Sequence, residues 1–279
     1  MSTVNMLTVS YANQSDSQVM DIYLHKSRKK SPVIVLIHGG AFMFGNQKME
    51  LIKPVIEMAV NKGYVVASVD YRKSNESKFP ASIIDIKSSI LYLKSHEEEY
   101  GIDSSKIVLW GESAGGYLAL MTALTPTVSK FEKNIVQPLI LPNIVSAMVL
   151  FYPPVEFYTM KKEYESWGDS VHGDGKFESL YLGVDNIYLH KDYCDRSYWE
   201  TYKGDLPTDF KLSAWIQVGD ENDIKVPFMQ SKNLSDRLSS IHGIGINYEQ
   251  IINAGHEDTA FYTEENLTKI FIWLKNVLC

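Results

Sequence analysis

Short apolar runs recur along the chain, and most are closed by a glycine, an acid or a histidine. Leu7–Tyr11 and Val19–Leu24 roughly alternate apolar and polar residues around the polar stretch Asn13–Ser17, which predicts an antiparallel pair at a sheet edge. Pro32–Ile37 and Tyr64–Val69 are continuous and rich in β-branched residues, the pattern of strands buried on both faces. Ile107–Trp110, Ile144–Phe151, Leu212–Val218 and Ile246–Ile252 predict four more strands. Between them, apolar residues fall at helical spacing. Ile83, Ile86, Ile90 and Leu93 do so in a helix expected from about Ala81 to Glu98; Tyr117, Leu118, Leu120 and Met121 do so just after Ser113. Residues 49–62, about Val226–Ile241 and about Glu264–Val277 predict further helices.

Strands alternating with helices predict an α/β fold, a mostly parallel central sheet with helices on both faces. The whole chain, 1–279, reads as one domain without internal repeats. Residues 153–211 break the rhythm and read as a cap-like insertion. In such sheets the ligand site lies at the carboxyl ends of the strands. The loops at 38–45, 111–115, 219–223 and 253–256 all follow predicted strands, so they should meet at one edge.

Composition narrows the picture. Apolar residues make up 45% and charged residues 22% of the 279, enough for a substantial core. The formal net charge of −7 argues against a nucleic-acid or anionic-membrane partner. Arg28-Lys-Lys30 is read as a solvated turn. No segment approaches the roughly 20 apolar residues of a membrane helix. Met1–Ser10 lacks a basic start and an apolar core, so no signal peptide is expected, and the default location is cytoplasmic. Cys194 and Cys279 do not form a disulfide framework. No histidine pair has metal-ligand spacing, so neither metal nor cofactor is expected. A homo-oligomer is compatible with all of this.

The chemistry centres on Gly111-Glu-Ser-Ala-Gly115. A strand that turns at once into a helix holds its middle residue in a strained bend, with the serine oxygen at the top of the sheet. Ser113 is therefore a candidate nucleophile. A serine hydroxyl needs a base, and the base needs an acceptor to fix its tautomer. His256 follows a strand directly and lies at the correct end. His242 leads into a strand and lies at the wrong end; His172 and His190 fall in the irregular stretch. Asp220, Glu221 and Asp223 follow one strand, and Asp223, just ahead of a helix, is best placed to reach the histidine. The alternative is that these carboxylates merely cap that helix. A tetrahedral intermediate wants two or three fixed donors for its negative oxygen. The Ala114 amide is one, and Gly39, Gly40 and Ala41 are candidates for the others. His38 precedes the serine and is expected to brace that loop.

Together these residues resemble the α/β-hydrolase superfamily, and within it the carboxylesterase/lipase group related to hormone-sensitive lipase. The resemblance covers most of the chain: His38-Gly-Gly-Ala-Phe42, Asp70-Tyr-Arg72, Phe79-Pro80, Gly111-Glu-Ser-Ala-Gly-Gly116, Asp223–Pro227 and Gly255-His256. It implies oxyanion amides at Gly40 and Ala41. Ala41 stands where the group has a third glycine, and the loop from Gly219 to Asp223 is one residue longer than in many relatives. The glycine loop begins at residue 38, too early for the group's N-terminal helical cap. The chain is more similar to compact acetyl-esterase and feruloyl-esterase-like hydrolases.

The insertion must then serve as the cap, and it is rich in aromatics. Trp167, Tyr181 and Trp199, with Phe42, Phe44 and Glu112 beside the two loops, are candidate substrate contacts; the bland alternative is that such aromatics form the insertion's own core. The expected function is a serine carboxylesterase acting on small acyl or aromatic-acyl esters, of acetyl or feruloyl type, through an acyl-enzyme. An arylformamidase or a peptidase would use the same machinery. A catalytically silent binding module is the alternative outside enzymes.

Overall fold

In the computed structural model, residues 5–25, 30–126, 145–166 and 173–279 are described. Ile144, Trp167, His172, Arg28 and Lys29, all singled out above, lie outside them.

Eight strands form one sheet in the order β1-β2-β4-β3-β5-β6-β7-β8. Their spans are β1 Asn5–Ser10, β2 Val19–Leu24, β3 Ser31–Ile37, β4 Val65–Val69, β5 Ile102–Glu112, β6 Val145–Phe151, β7 Leu212–Val218 and β8 Ile244–Gln250. β1 and β2 are antiparallel, as alternation predicts, and they close one edge through β2 on β4. From β4 to β8 every pairing is parallel. β5 begins five residues before the apolar run, because the polar stretch Asp103–Lys106 continues the strand at the sheet's more exposed end. β8 begins two residues earlier than predicted. Pairing with β7 from Leu212 on Ile244 sets its start and leaves Ile251 and Ile252 to the loop.

The helices are α1 Lys53–Asn61, α2 Ala81–Ser95, α3 Glu97–Tyr100, α4 Ala114–Leu124, α5 Met160–Ser166, α6 Lys176–Leu182, α7 Lys191–Arg196, α8 Phe228–Ser239 and α9 Glu264–Val277. The helix expected over 49–62 splits. Residues 50–52 form a 3-10 turn, and α1 starts where Pro54 fits its first turn. The helix expected to Glu98 stops at Ser95, with α3 as a separate turn. α8 is shorter than predicted at both ends, since Pro227 is its N-cap.

Side chains alternate across the sheet. Ile34, Leu36, Val66, Val108, Trp110 and Val149 pack against α1 and α9 on one face. Val33, Val35, Val65, Leu109 and Leu150 pack with α2 and α4 on the other. Every residue of α4 is buried, which fits its nearly unbroken apolar sequence. Phe157, Tyr164, Tyr181 and Trp199 of the insertion belong to the same buried cluster as α2 and α4. No helix among the described residues is long and apolar enough to cross a membrane.

Candidate active site

The elbow is built by close backbone approach. A Cβ on Gly111 would sit 2.2 Å from the Gly115 carbonyl oxygen, and one on Gly115 would sit 2.1 Å from that of Ile37. No side chain fits either place, so strand β5, helix α4 and strand β3 meet at glycines. Ser113 between them has φ 50° and ψ −123°, a conformation that costs an L-residue energy and persists because its surroundings over-determine it. Its N–H donates to the Phe151 carbonyl at 2.9 Å, and its carbonyl accepts from Tyr117.

Ser113, His256 and Asp223 come together. Ser113 Oγ lies 2.9 Å from His256 Nε2, and His256 Nδ1 lies 2.9 Å from Asp223 Oδ2. Asp223 is buried, and its Oδ1 accepts from the amides of Lys225 (3.0 Å) and Val226 (2.9 Å). The carboxylate therefore ties down the turn that leads to α8 and faces the histidine at once; it does not cap α8, whose N-cap is Pro227 with no side-chain cap bond, so the helix-cap reading does not hold for Asp223. A carboxylate can only accept, so Nδ1 carries the hydrogen and Nε2 is left to accept from the serine hydroxyl.

The neighbouring acids do other work. Asp220 Oδ2 accepts from the Asn253 amide (2.6 Å) and Oδ1 from Asn222, tying the loop after β7 to the histidine loop. Burial opposes its charge, but these bonds hold the carboxyl below its ordinary range. Glu221 is exposed. His242 lies between α8 and β8, at the other end of the sheet. His190 is paired with Asp185 on the surface.

The glycine loop is braced from beneath. His38 Nδ1 bonds the Gly39 carbonyl at 2.7 Å and Nε2 faces Asp70 at 3.0 Å. Tyr71 stacks on the ring at 4.5 Å and donates to the His38 carbonyl. Asp70 also accepts from Lys73 Nζ and the Tyr71 amide. Burial works against the Asp70 charge, and the bonds from His38 and Lys73 overcome it, so its carboxyl stays below the usual carboxylate range. His38 thus occupies the bracing position expected of it. Gly40, Ala41 and Phe42 all have positive φ, at 110°, 51° and 60°. The left-handed turn survives Ala41 because the Gly40 carbonyl accepts from both Met43 and Phe44.

These groups open on a cavity of about 510 Å³. Gly40, Ala41, Ser113, Ala114 and His256 are on its wall. So are Phe42 and Phe44, and Phe44 meets Phe177 edge to face at 5.8 Å. Four expectations are corrected by position. Gly39 is not on the cavity wall; a Cβ there would lie 3.2 Å from both the Glu112 carbonyl oxygen and Ser113 Cβ, and its amide faces the Glu112 carboxyl. Tyr181 is buried behind the wall, stacked on Phe42 at 4.1 Å and bonded to Ser82. Trp199 is buried in the packing beside α4. Glu112 lies beneath the serine, where Tyr152 and Tyr262 donate to it. Tyr164 and Phe177, counted among the insertion's aromatics but not singled out, do line the cavity, as do Met160 and Ile224, which sequence reasoning missed. Aromatic content pointed to the insertion, but periodicity in helices of seven residues is too short to say which aromatics face inward.

A family model described as BD-FAE matches residues 20–238. The chain is 26% identical to the probable carboxylic ester hydrolase LipM of Mycobacterium tuberculosis, over 87% of this chain and 54% of that protein. It spans about half the length of LipM and of the curated esterases LipQ and LipC that it also matches. A bifunctional GH43-CE of Bacteroides eggerthii superposes with a TM-score of 0.82 at 23% identity, over 98% of this chain and 38% of that one. A truncated carbohydrate esterase from gut microbiota superposes with a TM-score of 0.79 at 22% identity, over 98% and 96%. The fold is that of the α/β-hydrolases, and the chain belongs to the BD-FAE family.

Proposed function

We propose that this BD-FAE family member hydrolyses carboxylic esters with Ser113 as nucleophile, His256 as base and Asp223 as the group that orients it. The observation that carries the reading is the unbroken relay from Asp223 Oδ2 through His256 to Ser113 Oγ, each contact 2.9 Å, at the wall of an open cavity. His256 takes the serine proton as Oγ attacks the ester carbonyl. The negative oxygen is received by the amides of Gly40, Ala41 and Ala114. The imidazolium returns its proton to the leaving alcohol, an acyl-serine remains, and water releases it by the same steps in reverse.

Small acyl or aromatic-acyl esters, of acetyl or feruloyl type, fit the site best. Phe44, Phe177, Met160 and Tyr164 supply an apolar wall of a size that takes a short acyl group or one aromatic ring. A structural neighbour named as a carbohydrate esterase supports an alcohol half that is a sugar hydroxyl. Nitrophenyl acetate, acetylated xylan and methyl ferulate, offered to the native chain and to Ser113→Ala, test this reading. The native chain should cleave at least one of them and Ser113→Ala none. Equal turnover by both would overturn it.

A further inference from the structure

We propose that Tyr164, a residue of the insertion on the cavity wall, is a positioning residue for Asp223: its hydroxyl holds the turn from which the acid reaches His256. The proposal rests on the relay described above and adds a member to it. The acid turn runs from Asp223 to Pro227, between β7 and α8. Ile224 and Lys225 are exposed, and Pro227 gives the helix no side-chain cap bond. Two restraints on the turn meet at one peptide unit, Lys225–Val226. Its N–H, from Val226, donates to Asp223 Oδ1 at 2.9 Å. Its C=O, from Lys225, accepts from the Tyr164 hydroxyl on α5. A trans peptide aims these two groups in opposite directions, so the acid grips the plane from one side and the insertion from the other. A donor on the carbonyl also polarises the peptide and strengthens its N–H toward the carboxylate.

Tyr164 is itself held in place. It is buried, and a Cβ on Gly173 would lie 2.3 Å from its ring, so the backbone there closes directly on the aromatic face. The helix that carries it is fastened to α8 by Gln230, whose side chain is buried. Gln230 Oε1 accepts from the amides of Val155 (2.8 Å) and Glu156 (2.7 Å), and Nε2 donates to Thr159 Oγ1 (3.1 Å) and Glu163 Oε2 (2.8 Å). The insertion therefore grips the stretch 223–230 twice, at the Lys225 carbonyl and at Gln230. Lys225 Nζ also pairs with Glu257 at 2.6 Å, next to His256 in sequence, but that pair is at the surface, where an ion pair contributes little.

Tyr164 thus has two parts with two duties. Its ring is wall, and its hydroxyl is a tie on the acid turn. Without the hydroxyl, the Lys225 carbonyl is free to turn toward solvent, and the Val226 amide turns with it away from Asp223. The carboxylate then loses a fixed donor on Oδ1, and Oδ2 is no longer held to one position beside His256 Nδ1. The wall stays as it was. Loss of the hydroxyl should therefore be felt in turnover and not in binding.

Tyr164→Phe keeps the ring and removes the tie. It should lower kcat for a nitrophenyl ester by about five- to fiftyfold and leave KM within about twofold. In an Asp223→Asn background the same change should cost less than about twofold, because the acid it positions is already gone. Tyr202→Phe is the control: it removes another buried hydroxyl of the insertion, one that donates to the Arg196 carbonyl at 2.8 Å, and should leave kcat and KM unchanged. An unchanged kcat in Tyr164→Phe, a loss carried by KM, an equal loss in both Asp223 backgrounds or a like loss in Tyr202→Phe would overturn the proposal. Nitrogen-15 shifts of the His256 ring, assigned with His256→Ala and recorded in Ser113→Ala as well, read the same tie without any turnover. The ring should show the Nδ1–H tautomer in the native chain and move toward the average of the two tautomers in Tyr164→Phe; unmoved shifts would also overturn the proposal. Only the kinetic arm needs the ester-hydrolase reading. An active Ser113→Ala together with moved ring shifts would sink that reading and leave the part of Tyr164 standing.

Discussion

The edge of the sheet that carries Ser113 and the insertion that covers it are made on opposite plans. At the edge, single residues are dictated by backbone. Gly111 and Gly115 leave less than 2.3 Å for a Cβ, and Ser113 is held at positive φ between them. In the insertion, short helices α5 and α6 bury large aromatics that continue the packing over α2 and α4. The edge is specified by conformation at a few positions and tolerates little. The insertion is specified by volume, and the same aromatic residue type serves as wall at Phe177 and as buried packing at Tyr181. On the proposed function, chemistry is concentrated in the first region and selectivity is dispersed through the second.

The sharpest break in that comparison is loss of the relay. Ser113→Ala should lower turnover of a nitrophenyl ester by about 10⁴-fold or more, and His256→Ala should approach it, whereas His242→Ala at the far end of the sheet should change it little. Comparable losses in His242→Ala would mean that the site has been placed at the wrong end.

Asp223→Asn comes next. An amide can donate to Nδ1 and so stabilise the wrong tautomer, a change that costs about 10⁴-fold in a serine protease. Asp220→Asn disturbs only the tie to Asn253 and should cost much less, in kcat measured side by side. A larger loss in Asp220→Asn would reassign the acid.

Stability separates the two plans. Tyr181→Ala removes a fully buried ring stacked on Phe42 and should destabilise the fold by about 3–5 kcal/mol in urea melts. Gly115→Ala pushes a methyl into the Ile37 carbonyl and should cost about 1–3 kcal/mol or more. A neutral Gly115→Ala would show that the elbow has slack that the backbone distances deny.

The smallest expected effect is the most specific to the insertion. Phe177→Ala should shift the acetyl-to-feruloyl ratio of kcat/KM by about 1–3 kcal/mol while the melting temperature holds. Tyr181→Ala, despite its cost in stability, should move that ratio less. The reverse ranking would place the selective surface behind the wall rather than on it.

By itself the sequence determined the alternation of strands and helices, the antiparallel ribbon at one edge, the serine in its elbow, and which histidine and acid the structure brings to that serine. Each is written in local terms. Buried parallel strands are apolar throughout, an elbow needs glycine on both sides of its serine, and chain order fixes which loop reaches which edge. The choice of Asp223 over Asp220 also came from position, and the contacts of both residues give its reason. Tertiary structure alone decided the rest. It turned Gly39 from the cavity toward Glu112, placed Tyr181 and Trp199 in the packing and Phe177 on the wall, and set the Glu112 carboxyl against two tyrosines distant in sequence. Those outcomes depend on which way a side chain points after seven-residue helices and irregular loops have packed. A period of 3.6 needs several turns before it declares a face, and contacts between residues 112, 152 and 262 leave no mark in local sequence.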